Sequence, residues 1–371
     1  MRITTFDDFY DKLRSKPRFL PHEIQFELTY RCNLHCGHCY CRGLENTPHE
    51  LSTSQIKNIL DKLRSAGVFW LSFTGGEPLA RKDFLEIYTH AKKKGFLVTI
   101  FSNGLLWNKT LIRTLKRSPP YSIELTVNGI TKKTYETITG VTSSFELLKE
   151  KTALLFKSGL PIVVKSNLMK PNCAQVHRIK RWVHENLGSP NFKHFFKYDP
   201  FVYPRLNGDK APLEWRLTFN EIKAAVSKDA DMRLQYEKEL HCGFPSSHRP
   251  LEYLYQCTSW QDHLFINPYG EARFCLFSDK FSFDALKYQV RDGMRKVFKA
   301  IEKEKFITWS NCRVCKLRLI CNWCPAKAEL ETQDKEKPIS YFCRYSKKLA
   351  QATLKSQNEK SILSSIRRAA A

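Results

Sequence analysis

Ile24-Gln25-Phe26-Glu27-Leu28-Thr29-Tyr30-Arg31-Cys32-Asn33-Leu34-His35-Cys36-Gly37-His38-Cys39-Tyr40 sets a β-rich run directly before three closely spaced cysteines. The same juxtaposition recurs downstream. Val68–Phe73 leads into Gly75-Gly76-Glu77-Pro78, Leu97–Phe101 into Ser102-Asn103-Gly104, and Ser122–Val127 into Asn128-Gly129. Ile162–Ser166 and Phe192–Lys197 complete six candidate strands. Helical runs separate them: Ser54–Ser65, Lys82–Lys93, Lys109–Leu115, Phe145–Ser158 and Gln175–Asn186. In the first, Ile56, Leu60 and Leu63 recur at helical spacing. Strand–helix alternation implies a parallel sheet with right-handed crossovers. Six units predict an α/β fold, a partial (β/α)6 barrel. Chemistry in such sheets gathers at the C-terminal strand ends, which places all four motifs on one rim.

From about Asp199 the pattern changes. Pro200, Pro204, Gly208 and Pro212 mark irregular chain, followed by a charged helical stretch, Glu221–Leu240, read as a bridge. The cysteine-rich stretch Cys242–Cys343 has short elements and predicts a small fold organised by metal rather than by a large core. The boundaries predicted are an N-terminal extension (1–22), the barrel (23–200), the bridge (201–250), a cysteine-rich auxiliary-cluster domain (251–345) and a basic C-terminal helix and tail (346–371).

The chain has 371 residues, of which 42% are apolar, enough for a core and against wholesale disorder. The longest charge-free run, Gly95–Asn108, is too short to span a bilayer, and residues 1–20 carry charge throughout. Membrane residence and signal-peptide secretion are disfavoured, and a cytoplasmic location is expected. Lys and Arg number 61 against 37 Asp and Glu, a net +24 that favours an acidic partner. Thirteen cysteines in a reducing compartment point to metal ligation or redox chemistry rather than disulfides.

Cys32-x3-Cys36-x2-Cys39 supplies three thiolates, where a four-iron cube takes four, so one iron is left open for a small ligand. A zinc knuckle completed by His35, His38 or Cys41 is the alternative. Gly75-Gly76 favours the first: it predicts a turn with exposed backbone N–H groups, and Glu77 beside it can accept from a ligand ammonium. Cys41 reads as a buried free thiol, because a fourth ligand would close the site. Cys173, at a predicted helix start, reads as a core cysteine.

Cys32–Tyr40 together with Thr74-Gly75-Gly76-Glu77-Pro78-Leu79 resembles the radical S-adenosylmethionine enzymes over about residues 23–200. The resemblance implies a 4Fe–4S cluster on Cys32, Cys36 and Cys39, with S-adenosylmethionine chelating the open iron. One electron then yields a 5′-deoxyadenosyl radical that abstracts hydrogen from an unactivated C–H. It also implies that His38 contacts adenine and that Gly75, Gly76 and Glu77 hold the methionyl headgroup. Asn103, Thr126 and Asn128 would line the ribose or carboxylate. Lys165 is a further carboxylate contact, with a surface lysine as its alternative. Where many relatives carry Ser-x-Asp-Gly, this chain reads Thr126-Val127-Asn128-Gly129.

Cys257-x12-Gly270-x4-Cys275, then Cys312-x2-Cys315-x5-Cys321-x2-Cys324-x18-Cys343, supplies too many thiols for one site. Two four-thiolate clusters or a pair of zinc ribbons fit the spacing. Beside the N-terminal motifs the array resembles the SPASM extension of peptide- and protein-modifying radical enzymes, with one residue fewer before Cys324 than usual. That resemblance implies an outer auxiliary cluster on Cys312, Cys315, Cys321 and Cys343. It implies an inner one on Cys257, Cys275 and Cys324, completed by Cys242 or left open.

The function expected is maturation of a ribosomally made peptide or protein by hydrogen abstraction, giving a crosslink or an oxidation. Its partners would be an acidic substrate and an acidic flavodoxin or ferredoxin as electron donor. Tetrapyrrole side-chain chemistry is the alternative. Sulfatase maturation is disfavoured because Leu276 stands where that family has its basic Asp, with Asp279 three further on. A zinc protein binding nucleic acid through its positive charge is the distant rival, and it leaves the Gly75–Pro78 loop without a role.

Overall fold

The computed structural model describes residues 21, 23–45, 49–187, 196–233, 252–257 and 263–353. Cys242, most of the predicted N-terminal extension and the tail beyond 353 lie outside the described residues.

The predicted strand–helix alternation forms. Strands β1 (Glu23–Thr29), β2 (Trp70–Gly75), β3 (Leu97–Ser102), β4 (Ser122–Thr126), β5 (Ile162–Asn167) and β6 (Phe196–Asp199) are parallel neighbours in sequence order. The predicted start of the sixth strand at Phe192 falls outside the described residues. Helices α1 (Thr53–Ala66), α2 (Phe84–Lys93), α3 (Lys109–Arg117), α4 (Lys132–Thr139), α5 (Ser144–Phe156) and α6 (Val176–Leu187) fill the crossovers. Local chemistry sets their ends: Ser52 and Gln55 form a capping box at α1, and Gly67 closes it at φ +97°.

The two sheet faces differ. Ile24, Phe26 and Leu28 of β1, with Leu71, Phe73, Val98 and Ile100, are fully buried in the main core. The opposite face is polar: Glu27, Ser72, Thr74, Thr99, Glu124 and Lys165 project from it. Period-two alternation puts these sets on opposite sides.

The cysteine-rich region departs from the expected small, metal-organised fold. Strands β7 (His263–Ile266), β8 (Glu271–Cys275) and β9 (Ser278–Asp284) extend the same sheet in the order β6-β5-β4-β3-β2-β1-β7-β8-β9, with β7 parallel to β1. Helix α8 (Val290–Lys303) buries Met294, Val297, Phe298 and Ile301 in the common core, so packing organises this part of the region. It lies so close to β9 that a Cβ on Gly293 would sit 2.3 Å from the Phe283 ring. In the bridge, α7 (Phe219–Val226) covers the start of the predicted helix Glu221–Leu240; residues 234–240 are outside the described set. Helix α9 (Pro325–Thr332) and a helical run over 340–353 follow.

Candidate active site

The cysteine loop leaves β1 at the C-terminal rim and is tied down on three sides. Glu50 Oε1 accepts from Thr29 Oγ1 (2.6 Å) and Tyr30 N (3.0 Å). The end of α4 takes His35 N on Thr139 O (2.8 Å) and Gly37 N on Ile138 O (3.0 Å), and Leu206 N donates to Tyr40 O (2.8 Å). Beneath it, buried Glu27 accepts from Tyr30 Oη (3.0 Å) and Tyr40 Oη (2.8 Å). Burial raises the Glu27 carboxyl against those bonds.

Cys32, Cys36 and Cys39 are half-buried. Burial pushes the Cys32 thiol up to about 11 and Cys36 higher still, and the neighbouring thiols push both further. Cys39 is lowered, first by its contact with Cys41, whose Sγ stands 3.5 Å away. Cys41 is buried, as expected of a free thiol. Among the described residues no three metal-capable side chains converge as they would on one ion. His38 adds a buried Nδ1 without a hydrogen-bond partner, while its Nε2 lies 3.3 Å from Asn128 Nδ2. Burial lowers this imidazole to about 4, which leaves it neutral.

The glycine loop works differently from its sequence reading. The N–H groups of Gly76 and Glu77 are not exposed: they donate to Thr29 O (2.8 Å) and Arg31 O (2.9 Å). The glycines are needed because two backbones meet. A Cβ on Gly75 would lie 2.2 Å from Thr29 O, and one on Gly76 2.4 Å from Arg31 O, while Gly75 also holds φ +123°. Glu77 is fully buried, with both oxygens engaged by the chain. Oε1 accepts from Leu79 N (3.1 Å) and Ser102 Oγ (3.1 Å), and Oε2 from Asn103 N (2.7 Å). The carboxylate therefore clamps the second rim loop to the third. Burial raises it to about 7 against those bonds.

Asn103 Nδ2 reaches Asn33 Oδ1 (2.8 Å) and lies 3.6 Å from Cys32 Sγ, so the third loop touches the cysteine loop. Asn128 Oδ1 accepts from Asn167 N (2.9 Å), and Asn172 Nδ2 donates to Asn128 O (2.9 Å), which locks the fourth loop to the fifth. Thr126 pairs in register with Lys165. Lys165 is half-buried. Its Nζ meets Glu124 Oε2 (3.3 Å) and sits 3.4 Å over the Phe101 ring. Cys173 opens a single 3-10 turn and is half-buried, with burial raising its thiol.

Residues 26–172 match the sequence profile of the Radical SAM superfamily. Residues 26–172 are a radical SAM domain, and the protein is an enzyme of radical SAM type. S-adenosylmethionine and a 4Fe–4S cluster are the cofactors that go with it. The chain is 24% identical to the AdoMet-dependent heme synthase of Methanosarcina barkeri, over 88% of this chain and 97% of that protein. It is 27% identical to the antilisterial bacteriocin subtilosin biosynthesis protein AlbA of Bacillus subtilis, over 71% of this chain and 57% of the relative. Its fold resembles Streptococcus suis SuiB bound to precursor peptide SuiA: TM-score 0.67, 18% identity, 88% of this chain and 77% of that one. It also resembles native anSMEcpe with bound AdoMet: TM-score 0.63, 15% identity, 92% and 100% covered. No helix among the described residues is long and apolar enough to cross a membrane.

Two bridge residues missed in the sequence complete this radical SAM rim. The Trp215 ring lies 6.1 Å from the His38 ring, and a Cβ on Gly37 would collide with it at 2.3 Å. Arg205 Nη2 approaches Gly37 O at 3.4 Å. The glycine between Cys36 and His38 was the available signal, since it implies something packed close over the loop.

Among the described residues, the thiols from Cys257 onward fall into two neighbourhoods. Burial raises Cys275, and Cys324 and Cys257 raise it further. Burial pushes Cys312 up to about 12, with Cys343, Cys321 and Cys315 adding to it. Cys275 ends β8, Cys324 caps α9, and Cys343 lies in helix 340–353. The bridge is tied to this region: Arg216 pairs with Glu331 through two bonds (2.8 and 2.7 Å) and stacks 4.5 Å over Tyr341. Asp279 is exposed on β9.

Proposed function

We propose that this radical SAM enzyme modifies a peptide or protein, abstracting hydrogen from one of its residues to form a crosslink or an oxidised side chain. Cys32, Cys36 and Cys39 would hold the cluster. The methionyl headgroup would lie along the Gly75–Gly76 backbone beside Asn103, and the adenosine by His38 and Asn128. When bound, the cluster and cofactor supply one-electron cleavage of a sulfonium to a hydrogen-abstracting radical. The chain's own work is positional. Glu77 holds the Asn103 loop, Trp215 and His38 restrict water at one side, and neutral His38 is free to donate or accept at the base.

The observation that carries the reading is the pair of thiol neighbourhoods on a region whose strands extend the catalytic sheet. Cys312, Cys315, Cys321 and Cys343 would hold one auxiliary centre, and Cys257, Cys275 and Cys324 the other, completed by Cys242 or left open. Centres gathered beside the catalytic sheet suit removal of the second electron from a substrate radical. Likeness to the bacteriocin biosynthesis protein AlbA supports a peptide substrate. The match along nearly all of the heme synthase supports a second reading, side-chain chemistry on a tetrapyrrole. The test is anaerobic turnover with S-adenosylmethionine and dithionite, adding a precursor peptide encoded nearby or an iron porphyrin. Peptide-dependent 5′-deoxyadenosine with loss of two hydrogens from the peptide supports the first reading. Porphyrin-dependent turnover alone overturns it.

A further inference from the structure

Ile307, Trp309 and Val314 are 83%, 83% and 60% exposed, the most open large apolar side chains among the described residues. Exposed apolar groups that cluster mark interaction sites more often than those scattered singly. The chain holds these three in place. Buried Glu336 accepts from Ile307 N (2.7 Å) and Thr308 N (2.9 Å), and Ser310 Oγ donates to Glu336 O. The Arg313 guanidinium lies 4.5 Å over the Trp309 ring. Cys315, the exposed member of its thiol neighbourhood, follows Val314 directly. Cys312 N bonds Ser310 Oγ (3.2 Å), so one loop carries both the apolar patch and the thiols. Lys316, Lys337, Arg344 and Lys347 are exposed nearby, and no ion pair among the described residues engages them.

We infer that the Ile307–Trp309–Val314 patch with its basic rim docks an acidic one-electron carrier protein that exchanges electrons with the centre on Cys312, Cys315, Cys321 and Cys343. This rests on the redox reading of those thiols under the proposed function. A central aromatic anchor beside Arg, ringed by charge, is the usual anatomy of an interface hot spot. The rim's positive charge selects an acidic partner and speeds encounter. One electron leaves the carrier and one arrives on the centre, or the reverse, with no proton or further reagent required.

The probe is an acidic plant-type ferredoxin, with binding to the iron-loaded full chain followed at low salt. Ile307→Ser/Trp309→Ser weakens binding at least tenfold, and Lys316→Glu weakens it less and flattens the salt dependence. Unchanged binding in the double variant overturns the inference. So does patch-dependent binding to phosphatidylglycerol vesicles without ferredoxin binding, which would make the patch a membrane contact. All three substitutions lie on exposed side chains, and unchanged dithionite-driven 5′-deoxyadenosine formation shows that the variants fold. If dithionite gives no 5′-deoxyadenosine in the unaltered chain while ferredoxin binding stays patch-dependent, the functional reading fails and the dock stands.

Discussion

The two thiol regions reach their sites by opposite routes. At the N-terminal rim three cysteines lie within one loop, and its surroundings serve to hold that loop: Glu50 grips it through its carboxylate, and Gly76, Thr139 and Leu206 through backbone atoms. In the C-terminal region the thiols are far apart in sequence, and β8, α9, a turn and the 340–353 helix bring them together. A site within one loop survives changes elsewhere in the fold. A site gathered from several elements depends on all of them.

The largest expected effect tests whether the regions are independent. Cys36→Ala abolishes 5′-deoxyadenosine formation while iron stays at the C-terminal thiols, read by product chromatography and colorimetric iron. Loss of all iron would mean that the regions assemble as one unit. Cys315→Ala gives the converse: lower iron content with cofactor cleavage retained. If cleavage disappears, the C-terminal thiols support the first site directly.

Gly76→Ala tests the backbone grip. With its Cβ 2.4 Å from Arg31 O and 2.6 Å from Tyr30 O, the loop must move, at a cost of about 3 kcal/mol in thermal or urea unfolding. Gly76 is not among the left-handed glycines, so this cost is that of the close contact alone. The smallest effect concerns Glu77. Its carboxyl is raised from 4.5 to about 7 by burial. The folded state therefore binds the proton more tightly than the unfolded one, and this contribution to stability is present below pH 4.5 and lost as pH rises through 7. In the metal-free protein Glu77→Gln removes that fall, so the urea midpoints of the two proteins diverge between pH 4.5 and 7. Parallel curves would mean that Glu77 titrates normally.

Much of the rim was legible because its signals are local. Strand, glycine pair and cysteine spacing sit within a few residues of each other, and the rule for parallel sheets puts them together. Short α4 escaped notice because only Tyr135 and Ile138 mark its apolar side among polar neighbours. Glu77 was read as facing a ligand because sequence shows a charge but not the donors around it. Ser102 and Asn103 that claim it lie one strand away. Trp215 was invisible for the same reason. The continuation of the sheet was partly legible. Leu264, Ile266, Ala272 and Phe274 alternate with half-exposed neighbours, but the cysteines drew the reading toward metal and away from packing.

Strand β1 is flanked by β2 on one side and by β7 on the other. Cutting the chain before β7 would strip one flank and leave Glu23–Phe26 with a bare row of peptide groups. A fragment ending near residue 250 would thus be sticky along that seam, pairing with copies of itself however well its own rim motifs were preserved.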